Sequence, residues 1–311
     1  MEPGAFPMKV HQLRVLVACA EAGSLRGAAD RLSLTHPAVT KTIRELEEEV
    51  RAPLLVRSAK GIELTRYGQA LCKRARQILE DLRRAADEIS QLQGGLTGKV
   101  SIGVSGSMAL TAIPAALQQF RDTMPGVDIE ISELPVEYLT ASLLDGSLDF
   151  LVTHARVDAR LDCEQTILCG GHLVVAVRKN HPATRAGVTS LADLTAFEWL
   201  FPKMIVDRHE FDALFARIGI AAPRRVVSCQ SSMASLALVT DTDIVALFSV
   251  PFVRHPAVRD RVATFAFDDV LPEVAPSIVT RRDVQLTPAA RHCRDIIRGV
   301  VEALPWSATA R

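Results

Sequence analysis

The 311-residue chain lacks any excess of charge, because its 36 lysines and arginines are matched by 36 aspartates and glutamates. That balance argues against a general polyanion binder, so any contact with nucleic acid must come from local patches. Long apolar runs are missing too. No stretch approaches the length that crosses a bilayer, and the N-terminus lacks the apolar core of an export signal, so a cytoplasmic protein with no membrane partner is expected. The cysteines, Cys19, Cys72, Cys163, Cys169, Cys229 and Cys293, form no CxxC pair, which argues against both a zinc framework and a disulfide framework. No metal-ligand cluster appears, and no cofactor is expected. The length does exceed one typical domain, so two or more folded units are expected.

What is present concentrates first in residues 24–47, SLRGAADRLSLTHPAVTKTIRELE. Leu25, Ala28, Ala29 and Leu32 recur at helical intervals after Ser24, whose hydroxyl suits a helix cap. Ser33-Leu34 interrupts the period, Thr35 offers a second cap, and Pro37 falls in the first turn of the next helix, where its missing N–H costs little. Val39, Ile43 and Leu46 then share a core face, while Pro37, Thr40, Lys41 and Arg44 point the other way. Upstream, Leu13, Leu16, Val17, Cys19 and Ala20 form a further amphipathic helix that can pack beneath the pair. This is the layout of a helix-turn-helix, although two capped helices alone suit an ordinary helical hairpin equally well.

The residues that follow shift that balance. Pro53 to Arg57 and Gly61 to Thr65 are short β-prone runs separated by Ser58-Ala59-Lys60, a small wing carrying Arg57 and Lys60. Basic wing residues suit phosphate contacts, which position a protein on a duplex without reading its sequence. Lys41, Arg44, Arg57, Lys60, Arg66, Lys73, Arg74 and Arg76 enrich this third in positive charge, diluted by Glu45 and Glu47 to Glu49. Such a run is ordinarily a solvated face, and its neighbourhood alone promotes it.

Residues 8 to about 93 resemble the DNA-binding end of a LysR-type transcriptional regulator. The matching residues are Ser24, Ala28, Ala29, Leu32, Pro37-Ala38-Val39, Ile43, Leu46-Glu47, Leu54, Arg57, Leu64-Thr65 and Gly68. The chain departs from the family pattern at Thr35-His36 (usually Ser-Gln), Thr40 (Ser), Arg51 (Gly) and Leu55 (often Phe). The resemblance implies a winged helix-turn-helix whose contacts with double-stranded operator DNA come from Thr35, His36, Pro37, Thr40, Lys41, Arg44, Arg57 and Lys60.

From Arg66 to Gln93 the pattern becomes one long helix capped by Thr65, in which Leu71, Ala75, Ile78, Leu82, Ala85, Ile89 and Leu92 alternate steps of four and three. That is a coiled-coil seam, or the apolar stripe of a helix packed on its own domain. The resemblance favours the first: a linker helix that pairs with a second copy, in a dimer and further in a tetramer. A dimer implies an operator close to an inverted repeat. Gly94-Gly95-Leu96-Thr97-Gly98 then supplies a hinge.

Beyond the hinge, Val100 to Val104, Val127 to Ile131 and Phe150 to Thr153 read as strands, with helices over Met108 to Met124 and Tyr138 to Leu144. This order implies a parallel sheet with right-handed crossovers. A second set has strands near Leu173 to Val177, Trp199 to Phe201, Arg225 to Ser228 and Ile244 to Phe248, and helices near Phe211 to Ile218 and Met233 to Val239. Ser277 to Arg281 returns as a strand and Arg291 to Leu304 closes as a helix. The expected fold class is therefore α+β multidomain. A winged helix-turn-helix (1–65), a linker helix (66–93) and a hinge (94–98) precede a two-lobed α/β effector domain (99–306). Lobe one takes about 99–168 and 270–306, lobe two about 169–269, an arrangement that resembles periplasmic solute-binding proteins.

In such a domain a ligand lies at the C-terminal ends of the strands, where helix N-termini offer free N–H groups to anions. Ser105 and Ser107 stand there in lobe one, and Ser231 and Ser232 in lobe two; each equally suits a helix cap. Thr153 and His154, and Phe201 with Lys203, also sit at strand ends. His154 reads first as a structural histidine, and Lys203 suits pairing with a carboxylate. Together these groups favour a small organic anion as effector. An esterase reading of Gly103-Val104-Ser105-Gly106-Ser107 fails because a nucleophile elbow needs glycine where Ser107 stands. A peroxide-sensing pair at Cys163 and Cys169 does not match the family's redox segment. The expectation is a ligand-responsive regulator, not an enzyme, with RNA polymerase as a further partner.

Overall fold

The computed structural model describes residues 8–58, 61–201, 208–267, 271–282 and 284–307, with the side chains of residues 57, 58 and 210 left aside. The chain divides into two compact units, residues 1–89 with 145–147 and residues 90–144 with 148–311.

Capping chemistry sets the helices of the first unit, α1 (Val10–Ala22), α2 (Leu25–Leu32) and α3 (His36–Val50). Gly23 closes α1 in the left-handed region at φ 62°, and the Ser24 hydroxyl then accepts from Gly27 N at 3.0 Å to open α2. Thr35 opens α3 by accepting from Ala38 N at 3.4 Å. Arg51 ends α3 at φ 53°, a left-handed position that glycine would hold without strain. Ala28, Ala29, Val39, Ile43 and Leu46 are buried with Leu16, Cys19 and Leu54, so the small pair on α2 does sit where helices approach closely.

The wing is β1 (Leu55–Ser58) paired antiparallel with β2 (Gly61–Leu64), Leu55 opposite Leu64. Glu47 fixes its root, one carboxylate oxygen accepting from Leu54 N and Leu55 N at 2.7 and 3.2 Å. Ile62 N donates to Gly23 O at 3.0 Å, which ties the wing to the turn between α1 and α2. Helix α4 (Arg66–Leu92) follows, its Gly68 N donating to the Thr65 hydroxyl at 3.1 Å. Cys72 and Ala75 of α4 are buried, whereas Ile78, Leu82, Ile89 and Leu92 are exposed.

The second unit is built on two sheets. The first has order β4-β3-β5-β13-β6, from β3 (Thr97–Val104), β4 (Gly126–Glu133), β5 (Phe150–Thr153), β6 (Cys163–Ile167) and β13 (Ser277–Arg281). Strand β3 runs parallel to β4 and β5; β13 is antiparallel to β5 and β6. Helices α5 (Gly106–Thr111), α6 (Ile113–Thr123) and α7 (Val136–Leu144) form the crossovers. The single helix expected over Met108 to Met124 is thus two, breaking at Ala112, with Pro114 in the first turn of the second.

The second sheet has order β11-β7-β10-β8-β9, with β12 also on β7. Its strands are β7 (Gly171–Arg178), β8 (Glu198–Phe201), β9 (Val226–Ser228), β10 (Ile244–Ser249), β11 (Val262–Phe265) and β12 (Glu273–Val274). Strands β8, β9 and β10 are parallel, and β7 is antiparallel to β10, β11 and β12. Helices α8 (Arg208–Ala216), α9 (Ser232–Asp241) and α10 (Val250–Arg254) accompany them, and α11 (Pro288–Glu302) closes the chain. Because β12 still pairs with β7, the chain leaves the second sheet after Val274, later than the expected return near Asp269, a residue outside those described. Strands β6, β11 and β12 were not expected; β6, with sequence CEQTI, buries Cys163 but carries polar residues next, as an edge strand can.

Candidate DNA-reading helix and effector cavity

On α3 the exposed face carries His36, Pro37, Lys41 and Arg44, with Thr40 partly covered. The Thr40 hydroxyl donates to His36 O at 3.0 Å, that of Thr42 to Ala38 O at 2.9 Å, and Lys41 pairs with Glu45 at 3.7 Å. The surface therefore presents an imidazole, a proline and two cations in a row. Of the wing residues expected beside it, Lys60 and the side chain of Arg57 lie outside the described residues.

A cavity of about 50 Å³, room for a few water-sized groups, lies where the strand ends of the two sheets meet. Ser105, Gly106 and Ser107 reach it from the end of β3, and His154 from the end of β5. Leu200 of β8, Cys229 after β9, Ser232 and Ser235 of α9, Leu247, Phe248 and Ser249 of β10, and Phe252 of α10 complete it. Gly106 is needed for the close approach, since a Cβ there would run into Ser232 and the Glu133 carboxylate.

Three lining residues carry a buried polar atom without a hydrogen-bond partner among the described residues: Ser105 Oγ, Ser249 Oγ and His154 Nε2. Unpaired buried polar atoms are costly, so these three are suited to pairing with water or with a polar ligand that enters the cavity. The other imidazole nitrogen, Nδ1, lies 3.1 Å from Ser107 Oγ, and the ring meets the Trp306 ring edge-on at 5.6 Å. Burial pushes the His154 pKa down to about 4, so the ring is neutral near pH 7. No charged side chain lines the cavity among the described residues.

Three expected site residues have other work. Thr153 is buried in the first sheet, its hydroxyl accepting from Ala155 N at 3.0 Å and its carbonyl from Ser277 Oγ at 3.1 Å. Phe201 is core, its ring 5.5 Å from that of Phe211. Ser231 caps α9, accepting from Ala234 N at 3.2 Å, which leaves Ser232 to face the cavity. Lys203 lies outside the described residues. Ser249 is a lining residue beyond those expected, and it stands before Val250-Pro251 at a strand end as a helix-capping serine would. Burial raises the thiol pKa values of Cys163 and Cys169, which disfavours the reactive thiolate.

Residues 93–302 match the LysR substrate binding domain, and residues 10–69 match the bacterial regulatory helix-turn-helix protein, lysR family. The chain belongs to the LysR family of transcriptional regulators. It is 32% identical over 238 residues to the HTH-type transcriptional regulator GbpR of Rhizobium radiobacter, covering 75% of this chain and 79% of the relative. The HTH-type transcriptional regulator TdcA of Escherichia coli strain K12 is 25% identical over 284 residues, 91% of this chain and 90% of the relative. In fold, this LysR-family chain is similar to crystalline CbnR, with a TM-score of 0.69 at 24% identity over 94% of this chain and 99% of the other. CbnR has also been solved in complex with its target DNA.

These named relatives make the LysR-family chain a DNA-binding regulator with an effector-binding domain, not an enzyme. Among its described residues no helix is long and apolar enough to cross a membrane, and no three metal-ligating side chains cluster.

Proposed function

We propose that this chain controls transcription in the cytoplasm by coupling a small molecule in the Ser105 to Ser249 cavity to operator binding through α3 and the wing. The three unpartnered buried polar atoms at the cavity carry the reading, because a ligand that pairs them gains free energy only in the bound state. Operator contacts are assigned to Thr35, His36, Pro37, Thr40, Lys41, Arg44, Arg57 and Lys60. Residues 1–65 then act as the DNA-binding domain, 66–93 as linker, 94–98 as hinge and 99–306 as effector domain. The exposed Ile78, Leu82, Ile89 and Leu92 of α4 support pairing with a second copy, as the first step to a tetramer that contacts RNA polymerase.

An organic anion as effector is supported by the hydroxyls and helix starts at Ser105 and Ser232, where backbone amides and dipoles favour negative charge. A second reading, an uncharged ligand carrying both donors and acceptors, is favoured by the lining of five serines and a neutral histidine without a charged side chain among the described residues. A thermal-shift screen of small carboxylates and of uncharged polyols and amides separates the two. Ligand arrival should also alter the emission of Trp306, one of two tryptophans, through its contact with His154. If Ser105→Ala and Ser107→Ala proteins answer every effective ligand as the parent does, the cavity is not the effector site.

A further inference from the structure

Hydrogen bonding sorts the polar side chains at the tip of α3 into engaged and free. The Thr35 hydroxyl holds Ala38 N, those of Thr40 and Thr42 hold the carbonyls of His36 and Ala38, and Lys41 is paired with Glu45. His36 and Arg44 are exposed, with no side-chain partner among the described residues. His36 opens the helix, and Arg44 lies roughly 12 Å further along its axis at the usual rise per residue. In a helix-turn-helix the first residues of the recognition helix reach the base edges, whereas a cation further along suits a phosphate.

An imidazole carries its two nitrogens on different sides of the ring, so it turns a single N–H toward a base pair. It cannot offer the adjacent donor and acceptor of an amide. In the major groove guanine shows two neighbouring acceptors, N7 and O6, whereas adenine sets its N7 acceptor beside an amino donor. A lone N–H is matched anywhere along the guanine edge and is opposed on half of the adenine edge.

We infer that His36 reads one guanine in each operator half-site by donating a ring N–H to N7 or O6. Thr35 and Thr40 each spend one hydrogen bond inside the helix, which leaves Thr35 its O–H donor and Thr40 its lone pairs for a contact with DNA. The inference rests on α3 entering the major groove, and the test separates the two. Full-length protein is used to select duplexes from a pool with randomised bases, as wild type, His36→Gln and His36→Ala.

Wild type should enrich guanine at one symmetry-related position by about five-fold over the next base, the worth of one hydrogen bond of ordinary strength. His36→Gln should move that position toward adenine, which an amide pairs on both atoms. His36→Ala should flatten it, with the rest of the motif and the salt dependence of binding kept. A motif that both variants leave unchanged at every position overturns the inference, as does loss of the whole motif in His36→Ala with helicity intact. A wild-type pool with no enriched motif overturns the major-groove reading beneath it.

Discussion

Hydroxyl side chains around the helix-turn-helix and two serines at the cavity do opposite things. Around the helix-turn-helix, Ser24, Thr35, Thr40, Thr42 and Thr65 each hold a backbone group. At the cavity, Ser105 and Ser249 stand before α5 and α10 as caps would, yet neither hydroxyl finds a partner among the described residues. The first arrangement builds a rigid surface before DNA arrives. The second leaves hydrogen-bonding capacity unused, at the expense of stability.

The comparison breaks most visibly at Gly68. A Cβ there would drive into the Leu54 carbonyl and the Leu64 side chain, so Gly68→Ala should remove roughly 3 kcal/mol or more and operator binding with it. Denaturant unfolding of the DNA-binding unit measures this; unchanged stability would mean that α4 does not start tight against the wing root.

The next effect belongs to the effector unit. His154 titrates near 6.5 when unfolded and at about 4 when folded, so the unfolded chain binds the proton first as pH falls. Stability is full above about pH 6.5 and declines toward pH 4, by up to about 3 kcal/mol, since each tenfold change in proton affinity is worth about 1.4 kcal/mol. His154→Gln should flatten that part of the stability profile against pH.

Arg51 offers a gain. Replacing it by glycine at φ 53° should stabilise the first unit by about 1 kcal/mol, read as a raised melting temperature.

The smallest effects come as a pair that sharpens the contrast directly. Ser24→Ala should cost about 1 kcal/mol through loss of its cap. Ser249→Ala should cost nothing, or raise stability slightly without ligand, while reducing the ligand-induced thermal shift. Equal losses at both serines would show that Ser249 is held by the fold after all.

Legibility followed the range of the interactions. Ser24, Thr35, Pro37 and the apolar positions of α2 and α3 act within a turn or two of where they stand, so spacing alone revealed them. The same local logic picked Ser105 and Ser107, which line the cavity, and it picked Ser231 and Ser232 together without telling the cap from the lining residue. It misjudged Thr153 and Phe201, because whether a strand end faces a cavity or the core depends on which strands flank it. Leu247, Phe248, Ser249 and Phe252 line the cavity through β10 pairing with β7 and β8, residues far away in sequence. Strands β6, β11 and β12 are short and gain their hydrogen bonds from distant partners, so no local period marks them.

By itself, then, the sequence determined the helix-turn-helix, the long helix α4 and the family, since capping, periodicity and turn chemistry act between residues a few positions apart. Only the tertiary structure decided which serines are satisfied and which wait, that β12 stays with the second sheet, and that His154 is neutral. Those outcomes depend on burial and on partners brought together from distant parts of the chain, and no short window of sequence contains them.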